Sequence, residues 1–182
     1  MTTPALLIRP STPADLPAIT AIYAEAVLHG TGTFELDPPD QTEMARRRDD
    51  VLSKGLPWLV AEAPGTNAGQ LLGYAYANHF RPRRAYRFCL EDSIYLHPDA
   101  RGRGVGRMLL TELVGRCEAA GARQMLAVIG DAANAGSIGV HAALGFEHTG
   151  VLKAAGWKFD RWLDVILMQR ALGTGDTTPG TD

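Results

Sequence analysis

Apolar residues recur along the first half of the chain with two different periods, which predict two helices and four strands. In residues 11–27 they return every three or four positions after a Ser-Thr-Pro start, which is typical of a helix N-terminus. A second, more charged helical pattern covers residues 40–55 and ends at a glycine. Apolar or alternating runs predict strands at residues 5–9, 57–63, 70–79 and 86–96, with the turn-rich PGTNAG segment forming a hairpin between the second and the third.

The second half of the chain alternates between helical and strand-like patterns. A long helix is predicted from near Gly104 to around Gly121, and a short helix covers 134–146. Because the long helix is a crossover between strand 86–96 and a strand at 123–130, these two strands are expected to pair in parallel. The result is an α/β domain with a mixed sheet. Two final strands are predicted near residues 147–153 and 162–170.

The size and charge of the chain favour a single domain with a small-molecule ligand. Its 182 residues show no internal linker, so one domain is predicted over residues 1–172. The tail over 173–182 is rich in Gly and Thr and has no apolar anchor, so it is expected to be disordered. With 18 basic and 20 acidic residues, the net charge of -2 gives no sign of nucleic acid or an anionic membrane as a partner.

The sequence also bears on compartment and metal chemistry. The N-terminal segment lacks the basic start and apolar core of a signal peptide, and no apolar run reaches the ~20 residues of a membrane span, so a cytoplasmic location is expected. Cys89 and Cys117 lie in apolar patterns without a CxxC or Cys/His neighbour and are predicted to be free thiols. The histidines are scattered along the chain, so no metal site is expected.

The stretch SIYLHPDARGRGVGRMLL at residues 93–110 is the first candidate for chemistry, because it places three glycines and three arginines between a strand and a helix. Uncovered backbone N–H groups at the partly positive N-terminus of a helix favour an anion such as a phosphate. The run lacks the Gly-Lys-Ser/Thr of a P-loop, and Arg107 stands where the dinucleotide fingerprint needs a glycine. It fits the pattern R-x-x-G-x-G instead, at Arg101, Gly104 and Gly106.

Further features accompany this loop in the order of one known family. Asn134 begins a helix that closes with ALGF, and Glu91 lies three residues before Ile94 in the strand that leads into the loop. Together with the order of helices and strands, these features resemble the GNAT superfamily of N-acetyltransferases, which bind acetyl-CoA. The resemblance implies the GNAT fold: a mostly antiparallel central sheet whose fourth and fifth strands are parallel, splay apart and are flanked by helices.

Longer segments narrow the resemblance to one branch of that superfamily. The segments IYAEAVLHGTGTFE, AYRFCLEDSIYLHP, VIGDAANAGSIGVHAALGF and VLKAAGWKFDRWLDVILMQR are similar to the phosphinothricin and methionine sulfoximine N-acetyltransferases, and the similarity spans residues 6–170. One departure is the GDAAN segment at residues 130–134, which is one residue longer than the spacing expected before the asparagine. We therefore expect a different loop shape beside the cofactor arm.

The resemblance implies an acetyl-CoA site built from three parts of the chain. The glycine loop is expected to bind the pyrophosphate, the preceding strand to polarise the thioester carbonyl through a backbone N–H, and the helix at Asn134 to lie beside the pantetheine arm. The implied cofactor-binding residues are Ile94, Tyr95, Leu96, Arg101, Gly102, Arg103, Gly104, Val105, Gly106, Arg107, Asn134 and Ser137.

Two side chains are candidates for proton transfer in a direct transfer of acetyl from acetyl-CoA to an amine. The resemblance places Glu91 as the general base, acting directly or through a water once desolvation brings its pKa nearer the working pH. His141 stands where many relatives have a tyrosine that protonates the departing thiolate, and an imidazole can do such work near neutrality. Each residue also has a commoner role, since a strand glutamate is usually solvated or paired with an arginine, and a lone helix histidine usually packs or lies at the surface.

The resemblance implies the α-amine of a small amino-acid-like compound as the acceptor, with guanidinium groups meeting its carboxylate, sulfoximine or phosphinate. Relatives in this branch also imply a homodimer, for which Trp157 and Trp162 near a terminal hairpin are candidate contacts. Phe34 and Trp162 fit a core or interface position equally well. The implied substrate-binding residues are Phe34, Arg83, Arg84, Tyr86, Arg87, Ser93 and Trp162.

Two other functions are compatible with the same features. A protein N-terminus or a polyamine could be the acceptor, although a protein acceptor needs an open groove and the aromatic and arginine-bearing segments favour a closed polar pocket. A non-catalytic acyl-CoA-binding module would also use the glycine loop. The presence of both Glu91 and His141 favours an enzyme over such a module.

Overall fold

The computed structural model describes residues 6–63 and 70–180, and its secondary structure follows the predicted order. Within these residues, seven strands form one sheet and four α-helices pack against it. The strands are β1 (Leu7–Pro10), β2 (Trp58–Glu62), β3 (Leu71–His79), β4 (Cys89–Leu96), β5 (Gln124–Gly130), β6 (Glu147–Lys158) and β7 (Arg161–Ala171). The helices are α1 (Leu16–His29), α2 (Gln41–Ser53), α3 (Val105–Ala119) and α4 (Ala135–Ala142).

The strands lie in the order β1-β2-β3-β4-β5-β7-β6, and every neighbouring pair is antiparallel except β4 with β5. This arrangement confirms the predicted mixed sheet and its parallel pair. β4 and β5 pair only up to Asp92 and Ala127, although both strands continue, each held by its other neighbour. The two strands therefore splay apart, and we call the opening between residues 93–96 and residues 128–130 the fork.

Helices cover both faces of the sheet and so define two sides of the fork. On the α1/α2 face, the Tyr23 ring of α1 meets the Tyr95 ring edge-on at 4.8 Å, and Arg47 of α2 lies over Tyr23. On the α3/α4 face, Gly106 of α3 lies so close to β4 that a Cβ there would stand 3.3 Å from Leu96 Cδ1. The largest fully buried side chains are Trp58, Tyr74, Ile19, Met44, Leu59, Leu90, Leu109, Leu110, Leu113, Met125, Met168 and Leu172.

The final hairpin is longer than the pattern of apolar residues predicted. β6 continues to Lys158 instead of ending at residue 153. Its register with β7 shifts after Leu152, and Ala154 in this stretch has a φ of 49°. Such an irregularity interrupts the alternation of side chains between the two faces, which is why the alternating pattern stopped early.

Other boundaries move by a few residues. β4 begins at Cys89 rather than at residue 86, because Arg84–Tyr86 forms a 3-10 turn before it. The predicted hairpin turn over residues 64–69 lies outside the described residues, although β2 and β3 do pair antiparallel as expected.

Residues 173–180 follow β7 as turns and bends. Arg123 donates hydrogen bonds to the carbonyl oxygens of Gly175 and Thr178, at 2.8 and 2.9 Å. The single domain over 1–172 and the disorder expected for the tail stay predictions. In the two described ranges, none of the helices combines the length and the apolar character needed to cross a membrane.

Candidate active site

The β4 arm of the fork presents backbone donors to the opening. Residues of β4 alternate between bonding β3 and facing β5, and the bond from His97 N to Leu72 O, at 2.9 Å, shows that the odd-numbered residues pair with β3. The N–H groups of Ile94 and Leu96 therefore point into the fork, where β5 no longer pairs with β4. Backbone donors fixed in this way are suited to bind an oxygen on which negative charge develops.

The glycine loop ends at the N-terminus of α3, beside this arm. Gly102 and Gly104 have φ of 70° and 80°, which favour glycine, and a Cβ at either position would meet nothing within 4 Å. The hydrogen bond from Met108 N to Gly104 O opens the helix, so the N–H groups of residues 105–107 have no acceptor within it. Free N–H groups, open access and local positive charge together fit a pyrophosphate. The arginines around this terminus, all exposed, are Arg101, Arg103 and Arg107.

The N-terminus of α4 lies at the end of β5. Asn134 caps the helix, with its Oδ1 accepting from Ser137 N at 3.2 Å and its Nδ2 lying 3.5 Å from Gly130 O. The longer segment before it turns at Asp131, whose φ is 69° and whose carboxylate accepts a hydrogen bond from Arg161 at 2.9 Å. This turn holds Asn134 and Ser137 next to the end of β5, and the extra residue inferred from the sequence stays a prediction.

Glu91 lies in β4 just before the fork and, like Tyr95 four residues on, faces the α1/α2 side. Its side chain is half-buried. Burial and the adjacent Asp92 charge raise the pKa of the Glu91 carboxyl, whereas Arg81 opposes the rise, and no hydrogen bond from the described residues contributes. A carboxyl in this state is able to accept a proton closer to neutral pH than an exposed glutamate.

Two stacked aromatic rings, Trp58 and Tyr76, lie on the same face of the sheet as Glu91, and we call them the aromatic floor. Tyr76 stacks on Trp58 with ring centroids 4.2 Å apart, and across the β3–β4 pair it stands opposite Ser93. Burial raises the pKa of Tyr76, a hydrogen bond with Ser93 and the charge of Arg47 lower it, and Glu91 adds to the rise. Ser93 is therefore tied to this floor next to Glu91.

Asp92 and His141 form a buried ion pair on the opposite face. His141 Nε2 lies 2.9 Å from Asp92 Oδ2 with both side chains 2% exposed, and His141 Nδ1 lies 2.7 Å from Ser137 O. Both ring nitrogens face acceptors, an arrangement that favours the doubly protonated imidazolium as the donor to both. Burial alone lowers the pKa of His141, but the hydrogen bond and charge of Asp92 and the Ser137 carbonyl outweigh burial and raise it.

The basic segment over residues 81–87 precedes β4 and is mostly exposed. Arg81 was not among the residues singled out from the sequence, although it begins the same arginine-rich run. Its guanidinium lies 4.7 Å from the centroid of the Phe80 ring, and its charge lowers the pKa of Glu91. The structure therefore adds Arg81 to the residues that this segment brings toward the site. The substrate-binding role expected from the sequence for Arg83, Arg84, Tyr86 and Arg87 stays a prediction.

Phe34 and Trp162, both expected to contact substrate, lie in different surroundings. The half-buried Phe34 ring lies against Gly130, at the end of the β5 arm, and against Gly156 of β6. Trp162 is 65% exposed and meets Trp157 at 5.1 Å in the β6–β7 hairpin. The structure thus brings Phe34 to the fork and leaves Trp162 at the surface.

Comparisons with known proteins agree with this geometry. Residues 21–146 match the acetyltransferase (GNAT) family. A phosphinothricin N-acetyltransferase of Alcaligenes faecalis is 60% identical over 164 residues, covering 90% of this chain and 81% of the relative. An L-methionine sulfoximine/L-methionine sulfone acetyltransferase of Pseudomonas aeruginosa is 40% identical over 172 residues, covering 94% and 98%. The crystal structure of a phosphinothricin acetyltransferase from Sinorhizobium meliloti in complex with AcCoA has a TM-score of 0.92 and 51% identity, covering 97% of this chain and 94% of that one.

The chain therefore belongs to the acetyltransferase (GNAT) family. The resemblance seen in the sequence is confirmed, and with it the GNAT fold and an acetyl-CoA-dependent N-acetyltransferase activity. Within the family, its relatives include phosphinothricin and methionine sulfoximine acetyltransferases.

Proposed function

We propose that the protein transfers the acetyl group of acetyl-CoA to the α-amine of a small amino-acid-like substrate of the phosphinothricin, methionine sulfoximine or methionine sulfone type. The activities of the Alcaligenes and Pseudomonas relatives support this substrate class. The observation that carries the proposal is Glu91, a half-buried carboxyl with a raised pKa at the base of the fork, next to the place where thioester and amine have to meet.

Acetyl-CoA brings the acetyl group as a thioester, which is activated for attack by an amine. In the proposed site, the N–H groups of residues 105–107 and the loop arginines bind the pyrophosphate, while Asn134 and Ser137 line the pantetheine arm. One N–H of this arm, from Ile94 or Leu96, donates a hydrogen bond to the thioester oxygen and stabilises the charge that develops there, since donors two residues apart along a strand, about 6.5 Å, do not reach the same oxygen. The chain thus orients the reacting carbonyl through its backbone.

Glu91 takes a proton from the substrate ammonium group, directly or through one water. The neutral amine then attacks the carbonyl carbon, the new C–N bond forms, and the C–S bond breaks with the electron pair leaving on the CoA sulfur. The second proton of the attacking nitrogen passes to that sulfur, directly or through water, which gives the neutral amide and the free thiol. Neither cysteine is suited to act as a nucleophile, because burial raises the pKa of the Cys89 thiol and raises that of Cys117 to about 12. Transfer is therefore direct, without an acetylated enzyme.

The acid role expected for His141 stays a prediction, which the geometry does not favour. Both ring nitrogens are engaged, and the residue is 1% exposed. The ion pair instead joins β4, one residue after the proposed base, to the helix that carries Asn134 and Ser137. We assign His141 and Asp92 to positioning these two elements relative to each other.

The substrate side of the proposed pocket combines positive charge with aromatic rings. Guanidinium groups of the 81–87 segment meet the carboxylate and the phosphinate or sulfoximine group, since such anions favour bidentate arginine contacts. The other members of this pocket are Phe34, Tyr86 and Ser93, with Trp162 at its outer edge.

We further propose that the enzyme is a cytoplasmic homodimer. An edge strand with exposed apolar side chains is suited to a contact with a second copy of the chain. Both cysteines are free, in keeping with a reducing compartment.

Light scattering at assay concentration tests the dimer, and a monomeric mass with full activity would contradict it. The exposed apolar residues of the β6–β7 hairpin are Val151, Leu152, Trp157, Phe159 and Trp162, at 44 to 65% exposure.

A screen of thiol release from acetyl-CoA tests the substrate class. We expect turnover with methionine sulfoximine, methionine sulfone and phosphinothricin, and slower turnover with ordinary amino acids. Peptides with free N-termini and polyamines serve as comparison acceptors, and a preference for either would replace the proposed substrate class. If the protein binds acetyl-CoA but releases thiol with none of these amines, the result would instead support a non-catalytic acyl-CoA-binding module.

A further inference from the structure

Residues 31–35 form a loop that lies across the α1/α2 face of the fork. The Phe34 ring lies against Gly130, the last residue of the β5 arm. The neighbouring Thr33 has its Oγ1 3.0 Å from the Tyr23 hydroxyl, and the Tyr23 ring contacts Tyr95 of the β4 arm. The loop therefore contacts the β5 arm directly and the β4 arm through Tyr23, on the face to which the proposed base points.

The edge strand β6 uses its buried positions to contact this loop. Between residues 147 and 158, only Gly156 and Lys158 are buried. A Cβ at Gly156 would overlap the Phe34 ring and stand 2.7 Å from its Cζ. Lys158, which is 3% exposed, donates a hydrogen bond to Thr33 O at 2.9 Å. Gly156 has no positive φ, so the contact with Phe34, rather than the backbone conformation, requires a glycine here.

Polar contacts hold the rest of the loop in place. Glu35 accepts hydrogen bonds from Arg47 at 2.6 and 3.2 Å and from the Tyr23 hydroxyl at 2.9 Å. Together with the bond from Lys158, these bonds tie the loop to three separate elements, α1, α2 and β6. A change at Gly156 therefore acts mainly on the Phe34 ring and leaves the loop attached.

We infer that Gly156 is a specificity-determining residue, because the missing side chain lets the Phe34 ring lie against β6 and leaves room for the amine substrate on the Glu91 side of the fork. The inference rests on the proposed function, in which Phe34 lines the amine pocket. A methyl group at Gly156 forces the ring away from β6 and into space that the substrate side chain needs. The cofactor side of the fork is formed by other residues and is left unchanged.

Gly156→Ala tests this inference, with Gly150→Ala in the same strand as the matched control. A Cβ at Gly150 meets its nearest neighbour, Leu167 Cδ1, at an ordinary 3.7 Å. For Gly156→Ala we expect the KM of the amine to rise about tenfold while the KM of acetyl-CoA stays within about twofold. Gly150→Ala should leave both constants unchanged. An unchanged amine KM in Gly156→Ala, or an equal rise of both constants, would overturn the inference.

A second substitution tests the same contact. Phe34→Leu removes the ring atoms that the new methyl group overlaps, so Gly156→Ala added to Phe34→Leu should leave the amine KM at the value of Phe34→Leu alone, and the same tenfold rise in that background would count against the inference. If Gly156→Ala does not fold, Phe34→Leu alone tests the inference. The ratio of kcat/KM between large and small amines should then change in Phe34→Leu, and an unchanged ratio would overturn the inference. All variants are assayed with the amine that the wild-type enzyme acetylates fastest. An error in the proposed substrate class is then detected with the wild-type enzyme and does not affect the comparison between the variants.

Discussion

Glu91 and Asp92 are adjacent carboxylates in one strand, and the sheet gives them opposite environments. Glu91 is half-buried on the α1/α2 face, and burial raises the pKa of its carboxyl. The Asp92 side chain is 2% exposed on the α3/α4 face, 2.9 Å from His141 Nε2. Alternation along β4 thus places one carboxylate where a substrate is able to reach it and the other where none can.

The two environments also differ in what each carboxylate depends on. Asp92 Oδ1 is buried without a hydrogen-bond partner in the described part of the chain, so the charge of this residue relies on the single contact with His141. Among the described residues, Glu91 has no comparable ion pair at close range, and Arg81 acts on it only through its charge. Losing the first partner should therefore destabilise the fold, whereas changing Glu91 should affect the reaction.

Glu91→Gln gives the largest expected effect. The substitution keeps the shape of the side chain and removes its basicity, so kcat should fall by ~10²–10⁴ while the affinity for acetyl-CoA stays unchanged. Steady-state kinetics and calorimetric titration measure the two quantities. Glu147→Gln, at an exposed position of β6, is the control and should behave as wild type.

His141→Gln should act on stability more than on turnover. Without the imidazolium, Asp92 is left buried and unpaired, which costs about 3–5 kcal/mol of unfolding free energy. Urea denaturation measures the loss, with the exposed His148→Gln as control. The opposite pattern, wild-type stability with a loss of kcat as large as in Glu91→Gln, would make His141 the acid that protonates the thiolate.

The ion pair also makes stability depend on pH. Because the folded state raises the pKa of His141 above its ordinary 6.5, the stabilisation is fully present below pH 6.5 and is lost as pH rises through the raised pKa. The Cys117 thiol near Asp92, with its pKa raised to about 12, stays neutral through this range. Unfolding free energies from pH 6 upward should converge between wild type and His141→Gln, and a constant difference between them would refute the linkage.

Arg81→Gln gives the smallest expected effect. Its charge lowers the pKa of Glu91, so removing it should move the acidic limb of the kcat/KM profile upward. The residue is exposed and its charge is screened, so the shift should be less than about 1 pH unit and should shrink with added salt. Arg116→Gln, on α3, should leave the limb in place, and a downward shift in Arg81→Gln would contradict the geometry.

Local features of the sequence predicted the fold and much of the proposed cofactor site. The strands follow the apolar runs because each run buries one or both faces. Only the prediction for β6 ended too early, at the point where Ala154 interrupts the alternation of side chains. The glycine loop could be recognised from its glycines, which stand at Gly102 and Gly104 because the backbone there has a positive φ that other residues rarely adopt. Local rules thus suffice where the cause lies within a few residues.

Contacts between distant segments could not be predicted in this way. The Asp92–His141 pair joins residues 49 positions apart, and the contact of Phe34 with Gly156 joins a loop after α1 to the penultimate strand. A single sequence shows the polar or apolar character of each residue and leaves open which of them meet. Whether His141 was a free acid or a buried partner therefore required the three-dimensional structure.

The most direct test of Glu91 as the base is the pH profile of kcat/KM in wild type and Glu91→Gln. Repeating the profile with a second amine of lower pKa shows whether the substrate's own ionisation sets the acidic limb, because a limb set by the substrate moves with the pKa of the amine and a limb set by Glu91 does not. Wild type should show an acidic limb with an apparent pKa above the usual 4.5 of glutamate, and Glu91→Gln should lack it. The same limb in Glu91→Gln, with most of kcat retained and only KM raised, would show that Glu91 binds the substrate and that the proton goes elsewhere.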